Sequence, residues 1–271
     1  MMLFFAFLLI KFSVTAASFK LESGLRHASL IDAAESIINT SFTPRGASTI
    51  NFIIALNNET KRERIGLIND LVSRSASVAV IEDVEAIHPR HRLFNVLFID
   101  EFESFIRLFR KISADTFVID GFFLMIFVEG PEPQLSEITK LLWSIFLFNI
   151  DFLEAASSEI ENGVVINLWT FIPFRGCDSD LCHERKCGDT TPKVINQFVS
   201  GSFRSHEHDG DDNHFPEKIS NLHQCPVKIV TFNAPPMMMI HYSDNNTKFK
   251  LAGVDGEMIA LLSEQLNFTI D

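Results

Sequence analysis

Short apolar runs alternate with amphipathic helical stretches between residues 50 and 171, and no other feature of the chain constrains its fold as tightly. Ile50-Asn-Phe-Ile-Ile-Ala-Leu-Asn57 is a compact apolar run, the pattern of a strand buried on both faces. In residues 59–72, Ile65, Ile68, Leu71 and Val72 recur at helical spacing. Residues 78–84 and 91–99 read as two further strands. Within 101–112, Phe102, Phe105, Ile106 and Phe109 share one helical face. Residues 117–128 read as a strand or strand pair. Residues 132–148 read as a helix carrying Leu135, Ile138, Leu141, Leu142 and Ile145 in register, and 164–171 as a closing strand. A chain that alternates strand and helix covers both faces of a mainly parallel sheet with helices, so the expected class is α/β.

At 271 residues the chain has room for about two domains. Its 46% hydrophobic content supports a sizeable core, and the 27 Phe, against one Tyr and two Trp, enrich that core without pointing to a chemistry. A net charge of -12 with no Lys/Arg stripe argues against nucleic acid as a partner. The sequence holds neither G-x-G-x-x-G nor G-x-x-x-x-G-K, the usual phosphate cradles. It also lacks a G-x-S-x-G elbow and an H-E-x-x-H pair, so catalysis finds no support. Glu82, Asp83 and Glu85 read as surface charge rather than as an acid/base pair.

Residues 174–222 change character, with Asp, His, Gly, Ser and Pro in place of apolar runs, and read as a linker. Within it, Cys177, Cys182 and Cys187 follow a C-x4-C-x4-C spacing, wider than the C-x2-C pairs of zinc knuckles. Disulfides are the stronger explanation, with Cys225 as fourth member and three connectivities open. Free thiols and a zinc site are the alternatives. His206, His208, Asp209, Asp211, Asp212 and His214 read as a solvated segment, with no resident metal or cofactor. The N-terminus is an apolar run ending in small residues near Ala17, the pattern of a secretory signal over residues 1–17, with a buried strand as the alternative. Asn39, Asn58, Asn245 and Asn267 head N-x-S/T sequons, which fits a secreted glycoprotein. No later segment reaches the roughly 20 apolar residues of a membrane span; the best, 117–128, contains Asp120 and Gly121.

From Cys225 the pattern turns to strand, Pro-broken loop and helix. Residues 227–232 read as a strand ended by Pro235-Pro236, and Asp255 as the cap of a helix with Met258, Ile259, Leu261, Leu262 and Leu266 on one face. Pro216-Glu-Lys-Ile-Ser-Asn-Leu-His-Gln-Cys-Pro-Val-Lys-Ile-Val-Thr-Phe-Asn-Ala-Pro-Pro, then Gly253-Val-Asp-Gly-Glu-Met-Ile-Ala-Leu-Leu-Ser-Glu-Gln-Leu-Asn-Phe, resembles the insect ionotropic receptors, divergent relatives of ionotropic glutamate receptors. Phe171-Ile-Pro-Phe, Cys182, Cys187-Gly188 and Pro192-Lys-Val-Ile-Asn-Gln-Phe resemble the segment that precedes the ligand domain there. The resemblance covers about residues 165–271. With the residue patterns above, the chain divides into a signal peptide over 1–17, an amino-terminal α/β domain over 18–173 and the linker over 174–222, and the resemblance makes 223–271 the start of a periplasmic-binding-protein-like lobe in which the chain stops. It further implies a chemosensory ligand-gated cation channel subunit, with a small-molecule ligand and receptor co-subunits as partners, the pore lying outside this chain. Relatives that bind glutamate carry a tyrosine where Met237 stands here, after Pro236, so the resemblance marks Pro236 and Met237 as ligand-contacting and glutamate as disfavoured, with packing in the lobe core as the alternative for Met237. A secreted soluble ligand-binding protein is the alternative.

Overall fold

The structure, a computed structural model, describes residues 24–88, 91–113, 115–130, 133–156, 164–175, 186–205, 214–242 and 249–271. The chain separates into two compact units, one formed by residues up to Phe171 with Pro192–Pro216, the other by Ile172–Thr191 with Glu217–Asp271.

In the first unit, helix α1 (residues 24–37) precedes strand β1 (Thr49–Ala55). Six of the seven β1 residues are buried, as an uninterrupted apolar run requires. Helix α2 (Asn58–Arg74) follows, started by Asn57, whose side chain accepts the backbone N–H groups of Glu59 and Thr60. Then come β2 (Val78–Asp83), β3 (Phe94–Ile99), α3 (Phe102–Phe109), β4 (Phe122–Phe127), α4 (Leu135–Ser144) and β5 (Ile150–Ala155). These five strands are parallel, in the order β2-β1-β3-β4-β5. The expected α/β class with a mainly parallel sheet is therefore what the chain forms.

The face of α2 turns slightly from its expected register. Leu67, Ile68 and Leu71 are buried, whereas Ile65 is 41% exposed. The region 117–128 supplies one strand, β4, rather than a pair.

The sheet continues through residues expected to form a linker. Strands β6 (Ile166–Thr170), β9 (Lys193–Val199) and β10 (Ser202–Ser205) extend it with antiparallel pairing in the order β5-β6-β9-β10. Residues 193–205 thus complete the first unit. Phe198 on β9 is buried, and it packs on the same core as β6 residues Ile166 and Leu168.

The two faces of the sheet are covered separately. On one, α1 contributes Leu30, Ala34 and Ile37 and α2 contributes Leu67, Ile68 and Leu71, over Phe52, Ile54, Val96 and Ile126. On the other, α3 and α4 place Phe105, Leu108, Ile138 and Leu142 over Ile53, Leu97, Met125 and Phe152. Phenylalanine rings fill the amino edge of the sheet. Phe42 lies 5.3 Å from Phe94 and 5.5 Å from Phe215, and Phe94 lies 5.7 Å from Phe122. Phe215 is held there by its own N–H, which donates to Asp151 Oδ2 at 2.8 Å.

Arg92, wholly buried, donates to Glu82 Oε2 from Nη2 at 2.6 Å and to the Thr116 carbonyl from Nη1 at 2.6 Å. Glu82 is accordingly a buried-pair partner rather than the surface charge its sequence suggests.

In the second unit, β7 (Phe174–Arg175) pairs with β8 (Lys186–Cys187), β11 (Pro226–Val227) with β14 (Thr269–Ile270), and β12 (Met239–Tyr242) with β13 (Phe249–Ala252). The strand expected over 227–232 is only two residues long. Helix α5 (Gly253–Gln265) starts earlier than its pattern suggests, so Asp255 lies inside its first turn, and the capping position falls to Ala252, which makes no side-chain cap. Met258, Leu261 and Leu262 remain 54%, 57% and 45% exposed, and Gly256 is the buried residue of the helix.

Candidate functional site

The strand order reverses between β1 and β3. From β1 the chain crosses to β2 through α2 on one face, whereas from β3 it proceeds through α3 and α4 on the other. In such sheets the two connections diverge at the carboxyl ends of the strands and leave a crevice, the usual place for a ligand.

Here the crevice is bounded by Asn57 after β1 and by Asp100 and Glu101 after β3. The Asn57 N–H donates to Asp100 Oδ2 at 2.7 Å, tying the two connections together. The other carboxylate oxygen, Asp100 Oδ1, is buried and has no hydrogen-bond partner among the described residues. A buried acceptor left without a donor is costly, about 1–3 kcal/mol, so this oxygen can take a hydrogen from water or from a ligand. The N-terminus of α2 opens on the same edge and adds a partial positive charge.

Charged side chains from three elements surround this edge. Arg64 on α2 donates from Nε to Glu129 Oε1 at 3.0 Å, beyond the end of β4, and its Nη1 meets Nε2 of His27 on α1. Burial, then the Arg64 charge, lowers the His27 pKa below its ordinary value, against the opposing pull of Glu129. A neutral ring can accept the Arg64 hydrogen. At the end of β2, Asp83 pairs with Lys61. Burial raises the Asp83 pKa, but the Lys61 hydrogen bond and charge, the Glu85 N–H and Arg107 together outweigh it, and the net shift is downward. Arg64 and Lys61 are therefore engaged by carboxylates.

In the second unit, Pro235 and Pro236 form the tip of a turn closed by two backbone hydrogen bonds between Ala234 and Met238, at 2.8 and 3.0 Å. Met237 is 48% exposed, and its carbonyl accepts the Asp255 N–H at 2.9 Å. The turn is pressed against the start of α5. A Cβ on Gly253 would lie 2.5 Å from the Pro236 oxygen and 2.6 Å from the Met237 oxygen, at a φ of 82°. A cavity of about 200 Å³ lies in this unit, lined by Ile229, Thr231, Ile240, Tyr242, Phe249 and Asp271 among others. Neither Pro236 nor Met237 lines it.

Of the other residues singled out by sequence, Cys187 and Cys225 are joined in a disulfide with a Cα–Cα distance of 5.6 Å. Cys177, Cys182, Asn245 and the N-terminal segment lie outside the described residues, as does the His/Asp segment 206–213. Asn39 and Asn58 are exposed. Asn267 is half-buried and donates from Nδ2 to Asn221 Oδ1 at 2.9 Å. Among the described residues no group of His, Cys, Asp and Glu is arranged to hold a metal ion, and no helix is long and apolar enough to cross a membrane.

Sequence reasoning missed Asn57 and Asp100. Each is one polar residue at the end of an apolar strand, and the pairing of those strand ends across 43 residues carries no local signal.

The family described as ionotropic receptor, ligand binding domain, matches residues 21–221. The matched span contains the whole eight-stranded sheet and its crevice, and ends before β11. No curated protein and no solved structure matches the chain.

Proposed function

Because the chain belongs to the ionotropic receptor ligand-binding-domain family, a receptor family and not an enzyme family, we propose that it is the extracellular ligand-binding portion of a chemosensory ligand-gated cation channel subunit of the insect type. It reaches the cell surface behind a signal peptide over residues 1–17, works with receptor co-subunits, and takes its small-molecule ligand in the crevice at the carboxyl ends of β1 and β3. The observation that carries the location is the buried Asp100 Oδ1, unpartnered among the described residues, at the point of strand-order reversal inside the matched span.

A ligand group that donates a hydrogen, an ammonium or a hydroxyl, satisfies this oxygen. The test is Asp100→Asn in the complete receptor, expressed with its co-subunits and recorded as ligand-evoked current. Asparagine can keep its carbonyl toward the Asn57 N–H, so folding is preserved while the negative charge is lost. A right-shifted dose response with normal surface expression is expected. An unchanged dose response removes the crevice from the mechanism.

The turn at Pro236 and Met237 supports a second contact region, within a lobe over residues 223–271 set apart from the amino-terminal domain over 18–173. Its support is the half-exposed Met237 side chain on a backbone fixed by Ala234, Met238 and Asp255. A flexible thioether in place of a phenol disfavours glutamate. Unchanged ligand tuning in Met237→Tyr receptors would sink that role.

A further inference from the structure

The crevice has a sequon on its rim. Asn58 is the first residue of α2, next to the capping Asn57 whose N–H reaches Asp100. Its side chain is exposed and makes no hydrogen bond among the described residues. Helix α2 starts without it, because the Asn57 side chain already accepts the N–H groups of Glu59 and Thr60. Nδ2 of Asn58 is thus free to carry a substituent at no structural cost to the cap. Thr60, which completes the sequon, is only 8% exposed. A transferase that reads its hydroxyl therefore has to act before α2 packs.

We infer that Asn58 carries an N-linked oligosaccharide and that this glycan, rooted at the mouth of the crevice, restricts it to small ligands. The inference rests on the reading of the chain as an extracellular receptor portion. In the step required, Nδ2 loses a proton and bonds to C1 of the first sugar, while the bond from C1 to a polyprenyl pyrophosphate donor breaks and the pyrophosphate lipid leaves with the electron pair.

Two other sequons serve as internal references. Asn39 is exposed in the turn after α1, beside the Phe42–Phe94 contact at the amino edge of the sheet, so a glycan there stands away from the crevice. Asn267 turns the same nitrogen onto Asn221 Oδ1. Asn58 is the described sequon whose sugar would project beside Asp100 and Glu101.

The chain is to be secreted from glycosylating animal cells, deglycosylated enzymatically in heavy-oxygen water and mapped by peptide mass. Label on both Asn39 and Asn58 is the expected result. Label on Asn39 without Asn58 overturns the inference and leaves the receptor reading intact, whereas label on neither overturns both.

Shielding is read separately with Glu101→Cys, and with Glu103→Cys as a second reporter on the same exposed helix start. A polyethylene-glycol maleimide should react several-fold more slowly in the glycosylated protein than in its Asn58→Gln counterpart, while N-ethylmaleimide reacts with both at the same rate. Equal rates for the bulky reagent overturn the restriction.

Discussion

Replacing Arg92 with alanine should be among the most damaging single changes in the first unit. The guanidinium is fully buried, donates to Glu82 Oε2 from Nε at 3.1 Å and Nη2 at 2.6 Å, and lies 5.4 Å from the centre of the Phe117 ring. At an effective dielectric of about 20, charges about 3 Å apart attract by roughly 5 kcal/mol. Removing two charges from water offsets most of that, so the intact pair adds little net stability. Its loss is another matter. The Glu82 side chain is 14% exposed, and in the variant its Oε2 loses both guanidinium hydrogen bonds. Breaking one side of a buried pair costs about 3–5 kcal/mol, a large part of the roughly 5–15 kcal/mol that holds a domain folded.

Both tryptophans, Trp143 and Trp169, belong to the first unit, so their fluorescence during urea unfolding reports that unit alone. The midpoint should fall while the slope stays constant. Combining Arg92→Met with Glu82→Leu removes both charges and should recover most of the loss. A single-variant effect below about 1 kcal/mol, or a double variant as unstable as the single, would refute the assignment of Arg92 as a buried-charge partner.

Acid should destabilise the first unit in two stages. His27 has a lowered pKa when folded, so the unfolded chain binds its proton first, and stability falls as pH drops below about 6.5 toward the folded value. Asp83 is also lowered, so its share holds above about pH 4 and is lost below it as pH falls through the folded value. Tryptophan-monitored melts from pH 8 to 3 should show both stages, and His27→Gln should remove the first. Cys225→Ala opens a loop of 38 residues and should cost the second unit up to about 4 kcal/mol, read from hydrogen exchange across β11 and β14. Gly253→Ala drives a methyl into the Pro236 and Met237 carbonyls at a left-handed φ and should cost about 1–3 kcal/mol by the same measurement; a neutral result contradicts the packed turn.

The central strands were legible because they are continuous apolar runs, and a strand buried on both faces needs nothing else. Strands β9 and β10 were not. Lys193, Asn196 and Gln197 interrupt the run, and the register shift at Leu168/Trp169 leaves Ile195 and Phe198, three residues apart, as the core-facing pair, so no period-two signal survives beside the His/Asp-rich stretch that follows. The polar positions are nevertheless satisfied in place, with Gln197 donating to Asn167 across the β6–β9 pair at 2.9 Å. Helix α5 shows the opposite failure. Its apolar residues suggested a buried face, but the packing contact is made by Gly256 against Leu251, and Met258, Leu261 and Leu262 stay exposed.

The connections of the first unit explain why its carboxyl edge is the better place for a changing ligand site. The chain leaves this unit after Phe171, returns at Pro192 and leaves again after Pro216. Strand β6 runs antiparallel to β5, and Thr170 Oγ1 donates to the Ile150 carbonyl at the start of β5, so the first departure is at the amino edge. Lys193 pairs with Thr170, which puts the return there too, and Phe215 packs on Phe122 at the start of β4. All three passages therefore lie opposite the crevice, where Phe42, Phe94, Phe122 and Phe215 form one aromatic cluster. Truncating Phe215 to alanine should cost about 3–5 kcal/mol, because the cluster cannot close over the lost ring. Exposed substitutions at Glu101 or Glu103 should stay within about 0.5 kcal/mol. If the two edges proved equally sensitive, the separation between a packed amino edge and a permissive carboxyl edge would fail, and with it the argument that ligand selectivity can vary at Asp100 without disturbing the fold.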